Sequence, residues 1–327
     1  MKPLYGHDAA IAAFREGLDS GRLHHAWLIS GPQGIGKATF AEKAALRVLA
    51  EAGADAGLDV PDEHPAAKLV QAGSHPDLMR LERLPKETGT DLARSITVDQ
   101  VRGLQRLFST TSSISSWRAV IIDSIDDLER SGANALLKNL EEPPAKSVFL
   151  LVSHAPERLL PTIRSRCRHL RLSPLGQGDM ISALRAAAPE ADEQEIRTLS
   201  AIGQGSPGRA LTYRGLDIDA LDASLRDLAA RGDPTNAGRS ALAQSLALKS
   251  AQPRYEAFLE RVPAFIAAEA KKRSGPGLGR ALSLWEEASD LASSATGLSL
   301  EPQSVVFELA GLVAALAPPG ADAARLR

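Results

Sequence analysis

Cysteine is almost missing: the 327 residues contain one, Cys167. A single thiol excludes an intrachain disulfide and any metal site built from several cysteines, and it fits a reducing compartment. Aromatic residues make up 4% of the chain, too few for a single-strand binder that works by base stacking. Net charge is scarce as well. Lys and Arg number 38 against 40 Asp and Glu, a formal −2. That argues against a chain that grips nucleic acid alone through a basic surface. No long apolar run occurs. The longest, near Val305–Ala317, is interrupted by Glu308 and falls short of the ~20 residues of a membrane span. The opening MKPLYGHDAA lacks the apolar core of a signal peptide. A soluble cytoplasmic protein with no membrane partner is expected.

What is present is enough apolar material, 44%, to fill the cores of two or three domains. Short apolar runs at Trp27–Ile29, Asp77–Leu81, Ala119–Ile122, Val148–Val152 and Leu170–Leu172 read as strands. Val148–Val152 is apolar throughout, as in a strand buried on both faces. Helical patterns lie between them: Ala9–Leu18, Ala38–Leu49, a segment capped by Thr97, and Ser131–Leu140, which Pro143-Pro144 ends. Residues 51–77 read as a long connection with one short helix at Pro65–Ala72. Pro85–Arg94 reads as a polar loop, and Ser109–Ser116 as a turn. Alternating strands and helices predict a parallel sheet covered on both sides. After Leu175 only helical patterns remain, at Gly178–Ala187, Asp192–Ile202, Asp217–Ala230, Arg254–Ala270, Leu278–Ser293 and Gln303–Leu316.

Gly31-Pro32-Gln33-Gly34-Ile35-Gly36-Lys37 fits G-x-x-x-x-G-K between a strand and a helix. In that setting backbone N–H groups and the helix N-terminus face a phosphate, and Lys37 adds a charge. The next position, which should offer a hydroxyl to Mg²⁺, is Ala38. Thr39 is expected to point away, because one residue turns a helix by about 100°. Val120-Ile121-Ile122-Asp123 is an apolar strand ending in a carboxylate that could hold Mg²⁺ through water. The residue after it, where many ATPases carry a Glu, is Ser124. Both departures remove chemistry and keep shape: a nucleotide site is expected with its Mg²⁺ position impaired.

Four segments together resemble one family. They are His24-His25-Ala26-Trp27 leading into the glycine loop, Ile122–Asp126, Asn134–Pro144, and Thr162-Ile163-Arg164-Ser165-Arg166-Cys167. They are similar to the AAA+ subunits of the bacterial DNA polymerase III clamp loader. Ile96–Arg102 is closer to the delta-prime branch than to the motor branch. The resemblance is dense over residues 4–173, weaker over 174–225, and beyond that rests on helical character.

The resemblance implies an α/β P-loop AAA+ domain at 1–173, a small helical lid at 174–225 and an all-α collar at 226–327. It implies partners: a motor subunit and delta in a five-membered ring, acting on the sliding clamp and primer–template DNA through the complex. ATP would contact Gly31, Gly34, Ile35, Gly36, Lys37 and Asp123. Arg209 would stand where motor subunits carry a second arginine acting in cis. Arg166 would be a finger acting in trans on a neighbour's ATP, a role that can raise phosphoryl-transfer rates by ~10³–10⁵. Cys167 reads as a small buried residue, not a nucleophile. Many relatives carry a four-cysteine zinc module after the phosphate-loop helix. Glu51–Asp77 has no cysteine, so no zinc is expected.

Three functions compete. A stator that hydrolyses ATP slowly or not at all is favoured by Ala38 and Ser124. An active ATPase motor is favoured by the intact glycine loop. A stand-alone DNA binder is disfavoured by the charge balance. DNA polymerase activity would belong only to the assembled holoenzyme, since no carboxylate constellation for two-metal nucleotidyl transfer is visible.

Overall fold

The computed structural model describes residues 1–51, 57–86, 92–109, 112–298 and 300–318. Residues 52–56 of the expected connection, 87–91 of the expected polar loop and 110–111 of the expected turn lie outside the described residues. So does the end of the expected collar. The chain falls into two compact units, Met1–Thr212 and Tyr213–Arg327.

The first unit is built on five parallel strands: β1 (Ala26–Ser30), β2 (Leu78–Glu82), β3 (Arg118–Asp123), β4 (Ser147–Ser153) and β5 (Arg168–Arg171), in the order β2-β3-β4-β1-β5. Helices α1 (Asp8–Asp19), α2 (Lys37–Ala50), α3 (Pro65–Gln71), α4 (Val98–Arg102), α5 (Leu104–Ser109), α6 (Arg130–Glu141) and α7 (Pro161–Arg164) connect or flank them. Three more, α8 (Gln177–Ala187), α9 (Glu193–Gly203) and α10 (Pro207–Thr212), follow the sheet.

Residue alternation along each strand divides the core in two. Trp27, Ile29, Ile121, Leu150 and Val152 pack with Phe14 of α1 and Phe40, Ala41 and Ala44 of α2. Leu28, Val120, Ile122, Phe149 and Leu151 pack with Val101 of α4, Leu104 of α5 and Leu136 and Leu140 of α6. The parallel sheet covered on both faces is thus present, and β4, buried along its whole length, lies at its centre. Thr97 caps α4 in a reciprocal capping box with Gln100.

Two expectations need correcting. The last strand begins at Arg168, two residues before the expected Leu170. It pairs with β1 from Trp27↔Arg168 onward and forms the edge of the sheet, so three of its four side chains are exposed and the apolar signal is confined to Leu170. The segment Gly203–Gly208, read as punctuation between helices, ends in a short helix, α10, which Pro207 opens at a position where its missing N–H costs nothing.

The second unit is helical among its described residues: α11 (Ile218–Arg231), α12 (Ala237–Leu246), α13 (Gln252–Ala270), α14 (Gly275–Leu298) and α15 (Pro302–Ala314). Phe258, Val262 and Ile266 of α13 and Val306, Leu309 and Val313 of α15 are buried. The sequence reading omits α12, whose only buried residues are Ala243 and Leu246. The boundary expected at 225 falls inside α11, and the compact units divide at 212/213. No helix among the described residues is long and apolar enough to cross a membrane.

Candidate functional site: the glycine loop and its surroundings

The loop between β1 and α2 owes its course to glycine. Gly31, Gly34 and Gly36 have φ of 145°, 78° and 104°, a region that side chains disfavour. A Cβ on Gly31 would lie 2.4 Å from the Leu172 carbonyl oxygen. The His7 ring N–H donates to the Ile35 carbonyl at 2.8 Å. Lys37 opens α2 and is 3% exposed. Its ammonium donates to the Gly31 and Pro32 carbonyls, both at 2.6 Å. Burial lowers its pKa to about 8, against the opposing pull of Asp126 and Asp123.

A cleft of about 600 Å³ adjoins the loop. Gly34, Ile35, Gly36, Lys37 and Asp123 all line it, as do Ala38, Tyr5 and His154. Gly31 and Arg209 do not appear in its wall. Thr39, expected to point away, lines the cleft beside Ala38. Residues 2–5 and three successive residues of the first turn of α2, Lys37, Ala38 and Thr39, all line the cleft, so adjacent positions on that turn both reach it.

The segment just before Arg209 is fastened to the loop: the Ser206 hydroxyl donates to the Gln33 carbonyl at 2.7 Å, the Gly208 amide to the Gly34 carbonyl at 2.8 Å, and the Arg209 amide donates to the Ser206 hydroxyl oxygen at 3.3 Å. A Cβ on Gly34 would meet the Ser206 hydroxyl at 2.6 Å and the Arg209 amide nitrogen at 2.7 Å.

The acidic side of the cleft is already occupied by protein groups. Asp123 ends β3, and its carboxylate pairs with the Arg80 guanidinium of β2 at 3.0 Å. Arg80 also pairs with Glu82 at 2.7 Å and with Glu42. Burial raises the Asp123 carboxyl above its ordinary value, although Arg80 and His154 pull it down. Asp126 accepts from the Ser124 hydroxyl at 2.7 Å, the Ser153 hydroxyl at 2.8 Å and the amides of His154 and Ala155 at 2.6 and 3.2 Å. Burial would raise its pKa, but these donors hold it below the usual carboxylate range. Asp126 is therefore a tie between β3 and the end of β4. Among the described residues no group of three or more His, Cys, Asp or Glu stands together as a metal site.

Arg166 follows α7 and is absent from the cleft wall. Its guanidinium donates to the Thr162 carbonyl at 2.9 Å and the Ser165 hydroxyl at 3.4 Å, and pairs with Glu141 at 2.8 Å. Neighbouring Cys167 donates to the Ile163 carbonyl at 3.2 Å. Burial pushes its thiol up to about 12, which suits an inert side chain. Sequence reading missed Arg80 and Glu141. Arg80 lies in no motif, and Glu141 lies in the Asn134–Pro144 segment, whose local pattern does not show that its partner is Arg166; both act through contacts with residues distant in the chain.

The model of the family described as DNA polymerase III, delta subunit, matches residues 6–176. The DNA polymerase III subunit delta-prime of Pseudomonas aeruginosa is 38% identical over 194 residues, covering 59% of this chain and 57% of its own length. The Escherichia coli delta-prime subunit is 32% identical over 217 residues, covering 64% and 60%. A DNA polymerase III gamma subunit of Buchnera aphidicola is 30% identical over 216 residues, covering 64% and 56%. The chain thus spans little more than half the length of the curated relatives it matches. With residues 6–176 of its 327 matched by one family model, and a glycine-loop parallel-sheet unit behind that match, the chain belongs to the DNA polymerase III delta-subunit family.

Proposed function

We propose that this chain is a delta-prime-type stator of a cytoplasmic clamp loader, an AAA+ subunit that hydrolyses little ATP itself and completes a neighbour's ATP site with Arg166. The observation that carries this reading is the commitment of two carboxylates to other protein groups: Asp123, which lines the cleft, and Asp126, which follows the same strand. A phosphate group fits the loop: three glycines at positive φ, the start of α2 and Lys37 provide the cradle. Mg²⁺ does not fit the donors around it. Ala38 has no hydroxyl, Asp123 is paired with Arg80, and Asp126 is saturated by two hydroxyls and two amides. The residue after Asp123 is Ser124, not a glutamate, and its hydroxyl donates to Asp126.

Arg166 supports the trans role from the other side. It lies outside its own cleft, a third exposed, and its guanidinium is permanently charged and planar, suited to a phosphate. On this reading the partners are a motor subunit and delta in a pentameric ring, with the clamp and primer–template DNA reached through the complex. The first 173 residues act as the AAA+ domain, residues 174–225 as lid and residues 226–327 as collar. Polymerase activity belongs to the holoenzyme.

The test is reconstitution with motor and delta subunits. Isolated, the chain is expected to show negligible ATPase. In the assembled ring, Arg166→Ala is expected to lower DNA-stimulated ATPase and clamp loading while assembly stays intact. Unchanged rates would reject the trans role. Robust turnover by the isolated chain, abolished by Lys37→Ala, would replace the stator with a motor.

A further inference from the structure

We infer that Glu141 is a positioning residue for Arg166, holding its guanidinium in one orientation toward the neighbouring subunit's nucleotide. The inference rests on the trans role proposed above and adds a residue to it.

The geometry starts at the end of α6. Glu141 is the last residue of that helix, and Pro143-Pro144 prevents the helix from continuing. The helix end is anchored. The His25 ring N–H donates to the Leu140 carbonyl at 3.1 Å, Leu140 is buried, and the Glu142 amide donates to the Lys138 carbonyl at 3.1 Å. The Glu141 carboxylate therefore projects from a fixed point.

Arg166 meets it from a different part of the chain. One terminal nitrogen, Nη1, is turned back to the Thr162 carbonyl and the Ser165 hydroxyl, and the other, Nη2, faces Glu141 at 2.8 Å. These contacts engage both terminal nitrogens and define the plane of the group. They do not use all five N–H donors of a guanidinium, so donors remain for a second oxyanion.

The pair is poorly suited to a role in stability. The side chains are 33% and 49% exposed, and an ion pair in that setting adds little to folding. Its effect is on the freedom of a long side chain, whose rotamer entropy would otherwise oppose the reacting geometry. The contact also joins the two segments Asn134–Pro144 and Thr162–Cys167, which lie apart in sequence.

The experiment compares Glu141→Ala, Arg166→Ala and the double variant in the ring reconstituted with motor and delta subunits. DNA-stimulated ATPase, KM for ATP and assembly are measured for each. Glu141→Ala is expected to lower kcat about tenfold, the scale of freezing one long side chain, with KM and assembly unchanged. The double variant is expected to match Arg166→Ala, because a positioning residue has nothing left to position. Glu141→Gln, which keeps an acceptor oxygen, is expected to recover part of the rate.

The outcomes separate the two claims. If Arg166→Ala leaves the rate unchanged, the trans role itself fails. If Arg166→Ala is slow and Glu141→Ala is as fast as the parent, or faster, the positioning role is overturned. A Glu141→Ala loss that simply adds to the Arg166→Ala loss overturns it as well.

Discussion

The Gly208 amide donates to the Gly34 carbonyl across 2.8 Å, fastening the start of α10 to the middle of the glycine loop. A Cβ on Gly208 would lie 2.7 Å from the Gly34 Cα and 3.0 Å from its oxygen, backbone atoms that cannot rotate away. Gly208→Ala is expected to destabilise the protein by about 1–3 kcal/mol, the usual cost of overpacking. Gly279→Ala provides the contrast. That residue lies inside α14 with nothing within 4 Å of its added methyl, so a gain of about 0.5–1 kcal/mol is expected from helix propensity alone. Denaturant unfolding of both variants checks the pair of signs.

Arg80 is expected to govern how metal acts at the cleft. In the parent protein its guanidinium neutralises Asp123, so ADP affinity measured by calorimetry should be the same in EDTA and in Mg²⁺. Arg80→Met frees the carboxylate and should separate the two conditions severalfold, with the tighter binding in Mg²⁺. Equal affinities in the variant would show that Arg80 is not what withholds Asp123.

Lys37 sets a pH dependence. Burial brings its pKa down to about 8, so it is charged below that value and loses its proton above it. Nucleotide bound at the loop gains from the charged form. Affinity is therefore expected to be flat below pH 8 and to weaken as the pH rises beyond it, until the pKa of the bound state is reached. Lys37→Met should bind weakly at every pH and show no such slope. Titrations from about pH 6.5 to about pH 9.5, on either side of the Lys37 pKa of about 8, test both statements.

Asp77 should matter for stability and not for the cleft. It is 2% exposed and accepts from the amides of Ser113, Ile114 and Ser115 at 2.7, 2.9 and 3.0 Å. Burial alone would raise its pKa, and the three donors hold it below the ordinary range. Asp77→Ala is expected to cost about 3 kcal/mol through unsatisfied amides. A depressed carboxyl stabilises above its unfolded-state pKa and loses that contribution as pH falls through the folded-state value. The gap between parent and variant in denaturant unfolding should therefore close in acid.

The parts of the fold that show plainly in the sequence are those where one face or both are buried. Trp27–Ile29, Ala119–Ile122 and Val148–Val152 sit in the middle of the sheet, and burial leaves an unbroken apolar run. The edge strand β5 and the small-residue helix α12 carry little apolar surface, and their signal is correspondingly thin. The loop residues Gly34 to Lys37 are legible for a similar reason, since their spacing is imposed by the backbone. Arg80, Glu141 and Gly208 act through contacts with Asp123, Arg166 and Gly34. Those separations, of 25 to 174 residues, are set by strand order and helix packing, which no local pattern records.

The Arg80–Asp123 pair gives the cleft a counter-charge that is part of the polypeptide. A carboxylate balanced by a dissolved ion follows the concentration of that ion, but one balanced by an arginine two strand residues away in register is settled when the chain folds. The rim of this cleft should therefore present the same surface to its neighbours whether the surrounding solution is rich or poor in divalent cations.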